Sequence, residues 1–233
     1  PMFNIGSARV WDSTGGLNME ELPKRLLVVG GGYIGLELGT VYAALGSQVT
    51  VVEATSGLLP GADRDLVKVL QKSVEAKMSR VLLNTKVTAL KEVGAEVEVS
   101  LQPTEGEAFS EKFDRVLISI GRRPNTENLG LEHTRVEIDG RGFIKTDLQG
   151  RTQEPHIFAI GDISGDPMLA HRATHQGRLA AEVLHGSKAQ FEPQAIPAVV
   201  FTDPELAWAG LTEQQCKDQN IRHEVARFPW AAS

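Results

Sequence analysis

Hydrophobic positions along this chain switch between two periods, and the switches mark its elements. The continuous apolar run Leu26-Leu27-Val28-Val29 ends in Gly30-Gly31-Gly32, which predicts a buried strand running into a glycine turn. Leu36, Leu38, Val41, Tyr42 and Leu45 then recur at helical spacing, so a helix is expected from Ile34 to Leu45, closed by Gly46. Gln48-Val49-Thr50-Val51-Val52 predicts a second strand, tipped by Glu53. Asp63 to Lys77 reads as another helix, with Asp63 as N-cap and Leu66, Val69, Leu70 and Val74 inward. Val81-Leu82-Leu83 is expected to be a short buried strand. The period then becomes two, at Val87-Thr88-Ala89-Leu90, Val93 and Glu96 to Leu101, which predicts antiparallel strands laid onto a parallel unit. Val116 to Ile120, ending in Gly121, is apolar throughout, as in a parallel sheet buried on both faces.

Residues 1–22 are turn-rich and read as a connector, ahead of a dinucleotide-binding Rossmann domain over 23–121. A looser second segment, 122–194, is expected to hold short strands at Gly142-Phe143-Ile144 and His156 to Ile160, then a helix from about Leu169 to Leu184. Residues 195–233 read as the start of a third unit, with strands over 198–202 and 206–210. The expected fold class is α/β: a Rossmann-like domain with added antiparallel strands, followed by these two segments. Pro1 opens the chain and Phe228 to Ser233 close it just after an apparent strand. Both ends are therefore expected to continue into a longer protein.

Composition narrows the partners. The 233 residues carry a net charge of −6, which argues against nucleic acid or an anionic membrane. No apolar run approaches a membrane span. Cys216 is the single cysteine. It excludes an internal disulfide and points to a reducing compartment, the cytoplasm.

The chemistry is concentrated at the glycine turn. Gly30 permits the tight turn, Gly32 leaves room for a pyrophosphate, and Gly35 lets helix and strand pack closely. The helix N-terminus offers N–H groups and partial positive charge to phosphates. Glu53 can accept hydrogen bonds from a ribose diol, and it repels a 2′-phosphate. Residues 53–63 supply no arginine, so NAD is favoured over NADP. The bland reading of the glycines is an ordinary tight turn.

A second constellation runs from Thr152 to Asp162: a strand ends in Gly161-Asp162, and a helix follows near Leu169-Ala170-His171. Asp162 either accepts hydrogen bonds from a polyol or caps the turn. His171 and His175 stand four apart on that helix, but no third ligand accompanies them, so no metal site is expected. Arg122-Arg123 reads equally as a phosphate clamp or a solvated turn.

Together these motifs resemble the flavin-dependent pyridine nucleotide-disulfide oxidoreductases. The likeness covers Trp11 to Gly15, Gly30 to Glu37, Gly61 to Val69, Ile120 to Asn125, Ala159 to Ile163, Pro167 to His171 and Phe228 to Ser233. Met168-Leu169-Ala170-His171 and the terminal Phe-Pro-Trp-Ala-Ala-Ser are similar to the branch that oxidises dihydrolipoamide. The resemblance implies that Gly30, Gly31, Gly32, Tyr33 and Ile34 hold the NAD pyrophosphate, with Gly35 part of the same nucleotide-binding turn, and that Glu53 holds the adenosine ribose. Val87 would lie beside the adenine, and Ser119, Ile120, Gly121 and Arg122 would line the nicotinamide side. Tyr33 would cover the flavin, Glu37 would stand near flavin and nicotinamide, and Asp162 and Ala170 would contact FAD. It further implies a homodimer whose reductant is dihydrolipoamide on the lipoyl domain of an acyltransferase. The family's cysteine pair and C-terminal histidine-glutamate pair have no counterpart here. The resemblance assigns no catalytic residue to this chain, which is expected to be inactive alone. Gln176 replaces an expected glutamate, and Arg151 an expected apolar residue. Other flavin disulfide reductases, of the mercuric or glutathione kind, are the alternative within the family. A stand-alone NAD-binding module is the alternative outside it. Lacking the segments that would cover them, Phe201, Trp208 and Trp230 are expected to be exposed, and either self-association or an FAD half contributed by further chain segments is expected to cover them.

Overall fold

The structure is a computed structural model that describes residues 2–229. Trp230 and the end of the terminal motif lie outside the described residues. The chain divides into two compact units, one built from the residues up to Gly121 together with those from Val199 on, the other from Arg122–Ala198.

In the first unit the chain forms β1 (Val10–Trp11), α1 (Ser13–Asn18), β2 (Arg25–Val29), α2 (Tyr33–Ala44), β3 (Gln48–Val52), α3 (Arg64–Lys77) and β4 (Arg80–Leu82). Three antiparallel strands follow, β5 (Thr85–Val93), β6 (Glu96–Pro103) and β7 (Phe109–Phe113), then β8 (Arg115–Ile118). A parallel five-stranded sheet has the order β1-β8-β2-β3-β4. The supposed connector thus contributes an edge strand and a helix. Val10 and Trp11 pair with Val116 and Leu117, and the side chain of Asp12 caps α1 by accepting from Gly15 N–H. Two residues of edge strand are too few to show a period.

Alternation along β2 explains the layering. Leu26 and Val28 enter one core, with Val49, Val51 and Leu117 from the neighbouring strands and Leu36, Tyr42, Val67, Leu70 and Val74 from the helices. Leu27 and Val29 point the other way, into a second core with Val97, Val99, Leu101 and Phe113 of the antiparallel sheet. Successive side chains of a strand leave opposite faces, so an unbroken apolar run needs two covers. Helices supply one and the second sheet the other.

The helices follow the expected spans, but their faces are turned. On α3 the buried positions are Val67, Leu70 and Val74, whereas Leu66 and Val69 are exposed. On α2 Leu36 and Tyr42 are buried while Val41 and Leu45 are exposed. Asp63 occupies the N-cap of α3 without capping it. Its Oδ1 instead accepts from Glu213 N–H at 2.9 Å, on α5 (Glu213–Asp218), which carries Cys216.

That bond belongs to a larger difference. The segment from Val199 packs on the first unit rather than standing apart. β9 (Ala198–Val200) and β10 (Leu206–Trp208) pair with each other. Val200 and Leu206 join the helical core, and Trp208 packs partly against it. The carbonyl of Asp203 accepts from Ser73 Oγ and Lys77 Nζ at 2.6 and 2.8 Å. Phe201, at 69 % exposure, is the expected surface aromatic; Trp208 is not.

The second unit holds α4 (Ala170–Leu184) and short 3₁₀ turns at Leu131–His133 and Gly161–Ser164. The two strands expected there reduce to isolated bridges, Ile138 with Ile144 and Arg151 with Phe158. Neither has a wider sheet to join. Glu154 fastens this segment by accepting from the backbone N–H and Nε of Arg135, both at 3.0 Å.

Two expectations follow. Tyr42 Oη donates to the carbonyl of Gly16 at 2.7 Å from a fully buried ring. Tyr42→Phe leaves that acceptor unpaired, and chemical denaturation should register a loss of about 1–2 kcal/mol with unchanged slope. The Arg135 guanidinium holds the Glu154 carboxyl down from its ordinary 4.5 to about 2. The stabilisation is therefore complete above pH 4.5 and is lost as pH falls through 2. Melting curves of the native chain and Glu154→Gln should differ at neutral pH and converge near that lower limit.

Candidate functional site

The glycine turn sits where β2 meets α2. Gly30 adopts φ +107°, a backbone state that side chains resist. A Cβ there would stand 2.5 Å from the Ser119 carbonyl oxygen. At Gly35 a Cβ would fall 2.2 Å from the Gly30 oxygen and 2.5 Å from Ser119 Oγ. The Ser119 hydroxyl itself lies 3.0 Å from Val29 O and 3.3 Å from Gly30 O. Helix, turn and neighbouring strand therefore meet at backbone distance. Gly32 differs, because a Cβ there would meet nothing within 4 Å. That open space lies at the N-cap of α2, where no side chain caps the helix and its first N–H groups lack intrahelical acceptors.

Glu53 lies beside this turn, 8 % exposed. Its Oε2 accepts from Gly31 N–H at 2.8 Å, and its Oε1 accepts from Thr55 N–H and Oγ1, both at 2.8 Å. A carboxylate offers about four acceptor positions, so these three donors orient it and leave room for one hydroxyl. All three are neutral, and the charge stays uncompensated among them. No local pattern announces the Gly31 contact. Thr55, two residues on, is a spacing at which a hydroxyl reaches back to its neighbour.

Other expected residues are distributed around the turn. Tyr33 is exposed and Ile34 half-buried at the start of α2. Glu37 faces the segment that follows β9, where its Oε1 accepts from Phe201 N–H at 2.8 Å. Val87 is buried in the second core, so its side chain is committed to packing. The strand bulges between Val87 and Ala89. Ile120 and Gly121 are exposed beyond the end of β8.

In the second unit Arg122 and Asp162 come together. The guanidinium binds Asp162 Oδ2 and donates to the Met168 carbonyl at 2.7 Å. The resemblance had assigned these two side chains to different cofactors. Here they form an ion pair, so a polyol approaching Asp162 would share its carboxylate with Arg122. Gln176 Oε1 accepts from Gly161 N–H at 2.8 Å, just before Asp162. A glutamine oxygen serves as acceptor there as a carboxylate would. The Arg151 guanidinium stacks on Phe158 at 4.7 Å, which accounts for a cation where an apolar residue was expected. Ala170 is the exposed first residue of α4, whose N-cap, Leu169, offers no side-chain cap. His171 Nε2 lies 2.8 Å from the Pro197 carbonyl, and the described residues contain no cluster that could hold a metal.

Strand, glycine turn, helix and acid-tipped strand define a doubly wound α/β unit of the Rossmann kind. Comparison with known proteins carries this further. The model of the pyridine nucleotide-disulphide oxidoreductases matches residues 2–177, and that of their dimerisation domain matches residues 196–233. The chain belongs to the pyridine nucleotide-disulphide oxidoreductase family. It is 50 % identical over its whole length to the dihydrolipoyl dehydrogenase of Vibrio parahaemolyticus, covering 49 % of that protein. It is 44 % identical to that of Geobacillus stearothermophilus, again over all of this chain and 49 % of the relative. Among solved structures, the HOCl-induced flavoprotein disulfide reductase RclA from Escherichia coli superposes with a TM-score of 0.82 at 31 % identity, covering 94 % of this chain and 50 % of that one. LpdA from Mycobacterium tuberculosis gives 0.77 at 31 %, covering 91 % and 45 %. The chain spans about half the length of the curated relatives it matches. The family's cofactors are FAD and NAD. Among the described residues no helix is long and apolar enough to cross a membrane.

The turn geometry separates two substitutions. Gly35→Ala drives a methyl into backbone and should cost about 3 kcal/mol in chemical denaturation. Gly32→Ala places it in open space and should cost less than about 1 kcal/mol.

Proposed function

We propose that this chain provides the NAD site, and part of the FAD site, of a flavin-dependent dihydrolipoyl dehydrogenase that works in the cytoplasm as a homodimer. The observation that carries the reading is the glycine turn with the pre-oriented Glu53 carboxylate beside it. Identity of 50 % to a dihydrolipoyl dehydrogenase over the whole chain supports this branch.

In this reading Gly30 to Ile34 cradle the pyrophosphate, and Gly35 holds helix and strand close beneath it. The open side at Gly32 admits it, and the uncapped start of α2 offers it N–H donors. Glu53 takes one ribose hydroxyl at its remaining acceptor position. A 2′-phosphate would meet that buried negative charge instead. The nearest arginine, Arg64, donates to the carbonyls of Leu58, Leu59 and Ala62 and is not offered to a phosphate. The backbone near Val87 borders the adenine. Ser119, Ile120, Gly121 and Arg122 line the nicotinamide side, with Tyr33 and Glu37 near the flavin. Asp162 holds the flavin's polyol, and Ala170 presents the start of α4 to it. When bound, flavin and nicotinamide supply the two-electron chemistry that the protein lacks. The thiols come from dihydrolipoamide on the lipoyl domain of an acyltransferase. With Cys216 as its one cysteine, this chain holds no dithiol to relay those electrons.

Titration calorimetry of the chain should show NAD binding, with NADP weaker by at least about ten-fold. Gly32→Ala should weaken NAD by a similar factor while leaving stability nearly unchanged. Supplied with FAD, dihydrolipoamide and NAD, the chain should form no NADH. Equal affinity for both nucleotides would sink the reading of Glu53. NAD binding with no affinity for FAD would favour a stand-alone nucleotide-binding module.

A further inference from the structure

Gly31 is held at both ends of its residue. Its N–H donates to Glu53 at 2.8 Å, and its carbonyl accepts from Leu59 N–H at 2.9 Å. In a planar trans peptide the carbonyl and the following N–H point in opposite directions. With the Gly31 carbonyl turned onto Leu59, the Gly32 N–H of the same peptide is turned away from it. Leu59 therefore decides which way the first N–H of the phosphate cradle faces.

The loop carrying Leu59 is packed into the helical core by Leu58, Leu59 and Ala62, yet burial alone leaves its carbonyls without donors. Leu59 has φ +48°, an unfavourable state for a leucine. The loop is held by a side chain that follows it. Arg64 NH1 donates to Leu58 O at 2.8 Å, NH2 to Leu59 O at 2.6 Å and Ala62 O at 2.8 Å, and Nε to Ala62 O at 3.0 Å. One planar guanidinium thus ties three carbonyls, a geometry an ammonium cannot reproduce. Leu58, fully buried, completes the clamp: a Cβ on Gly31 would lie 2.6 Å from its Cδ2.

We infer that Arg64 is a positioning residue for the nucleotide phosphates. By fixing the loop over 58–62, it keeps Leu59 N–H on the Gly31 carbonyl and the Gly32 N–H aimed away from Leu59. It touches no nucleotide itself. This rests on the NAD reading above and adds a determinant eleven residues beyond the acidic strand tip, at Arg64 against Glu53.

The test compares the native chain with Arg64→Ala, Arg64→Lys and Tyr42→Phe. Calorimetry with NAD is paired with amide NMR in the absence of nucleotide. Arg64→Ala should bind NAD about ten-fold more weakly, the loss expected when a hydrogen bond to a charged group goes. The Gly31, Gly32 and Leu59 amide signals should move and Leu59 should lose exchange protection, while amides of β2 and β3 keep theirs. Millimolar guanidinium ion should restore binding to Arg64→Ala. Arg64→Lys, which keeps the charge and most of the stem, should fold and still show the weakened binding. Tyr42→Phe, destabilised elsewhere, should bind as the native chain does. Native-like affinity in both Arg64 variants, with unmoved Gly32 and Leu59 signals, would overturn this inference and leave the NAD reading intact. A native chain that fails to bind NAD removes that reading and the inference with it.

Discussion

The first unit depends on how closely α2 approaches the end of β2. Gly35, Gly30 and Ser119 meet with no space for a methyl group. That contact puts the start of the helix directly over the turn, and the turn directly against β8. The direction of α2 and the open side at Gly32 follow from it. Were the helix held off by one side chain, its first turn would no longer converge with the Glu53 carboxylate. Burial of β2 on both faces keeps the arrangement rigid, because the strand beneath the turn has packed neighbours above and below.

The two carboxylates of interest are treated in opposite ways. Glu53 is buried and held by neutral donors, two backbone N–H groups and a hydroxyl. Its orientation is set, but its charge is left intact and can act on whatever sits in the turn. Asp162 is more exposed and is met by the guanidinium of Arg122. Its charge is compensated within the second unit, and a ligand there gains less from it.

Legibility in the sequence followed the range of the forces involved. The runs of β2 and β3, the glycine turn and the span of α4 were readable because each is written in consecutive residues. The face of α3 was not. Leu66 and Val69 are as apolar as Val67, and which row turns inward depends on the sheet beneath. The strands expected at 142–144 and 156–160 met the local requirement but had no sheet to extend, and they remain single bridges. Arg64 carried no local signal at all. Its role exists only because the loop behind it folds back over the guanidinium.

By itself the sequence determined where the glycine turn falls, which acid stands beside it and which family the chain resembles. Those properties reside in φ angles, absent Cβ atoms and short-range order. Only the tertiary structure decided that the residues from Val199 pack on the first unit, that Arg122 pairs with Asp162 and that Arg64 donates to the carbonyls of Leu58, Leu59 and Ala62. Each of these joins groups through loops whose course no local pattern encodes, and each is settled by which donors and acceptors the folded chain brings together.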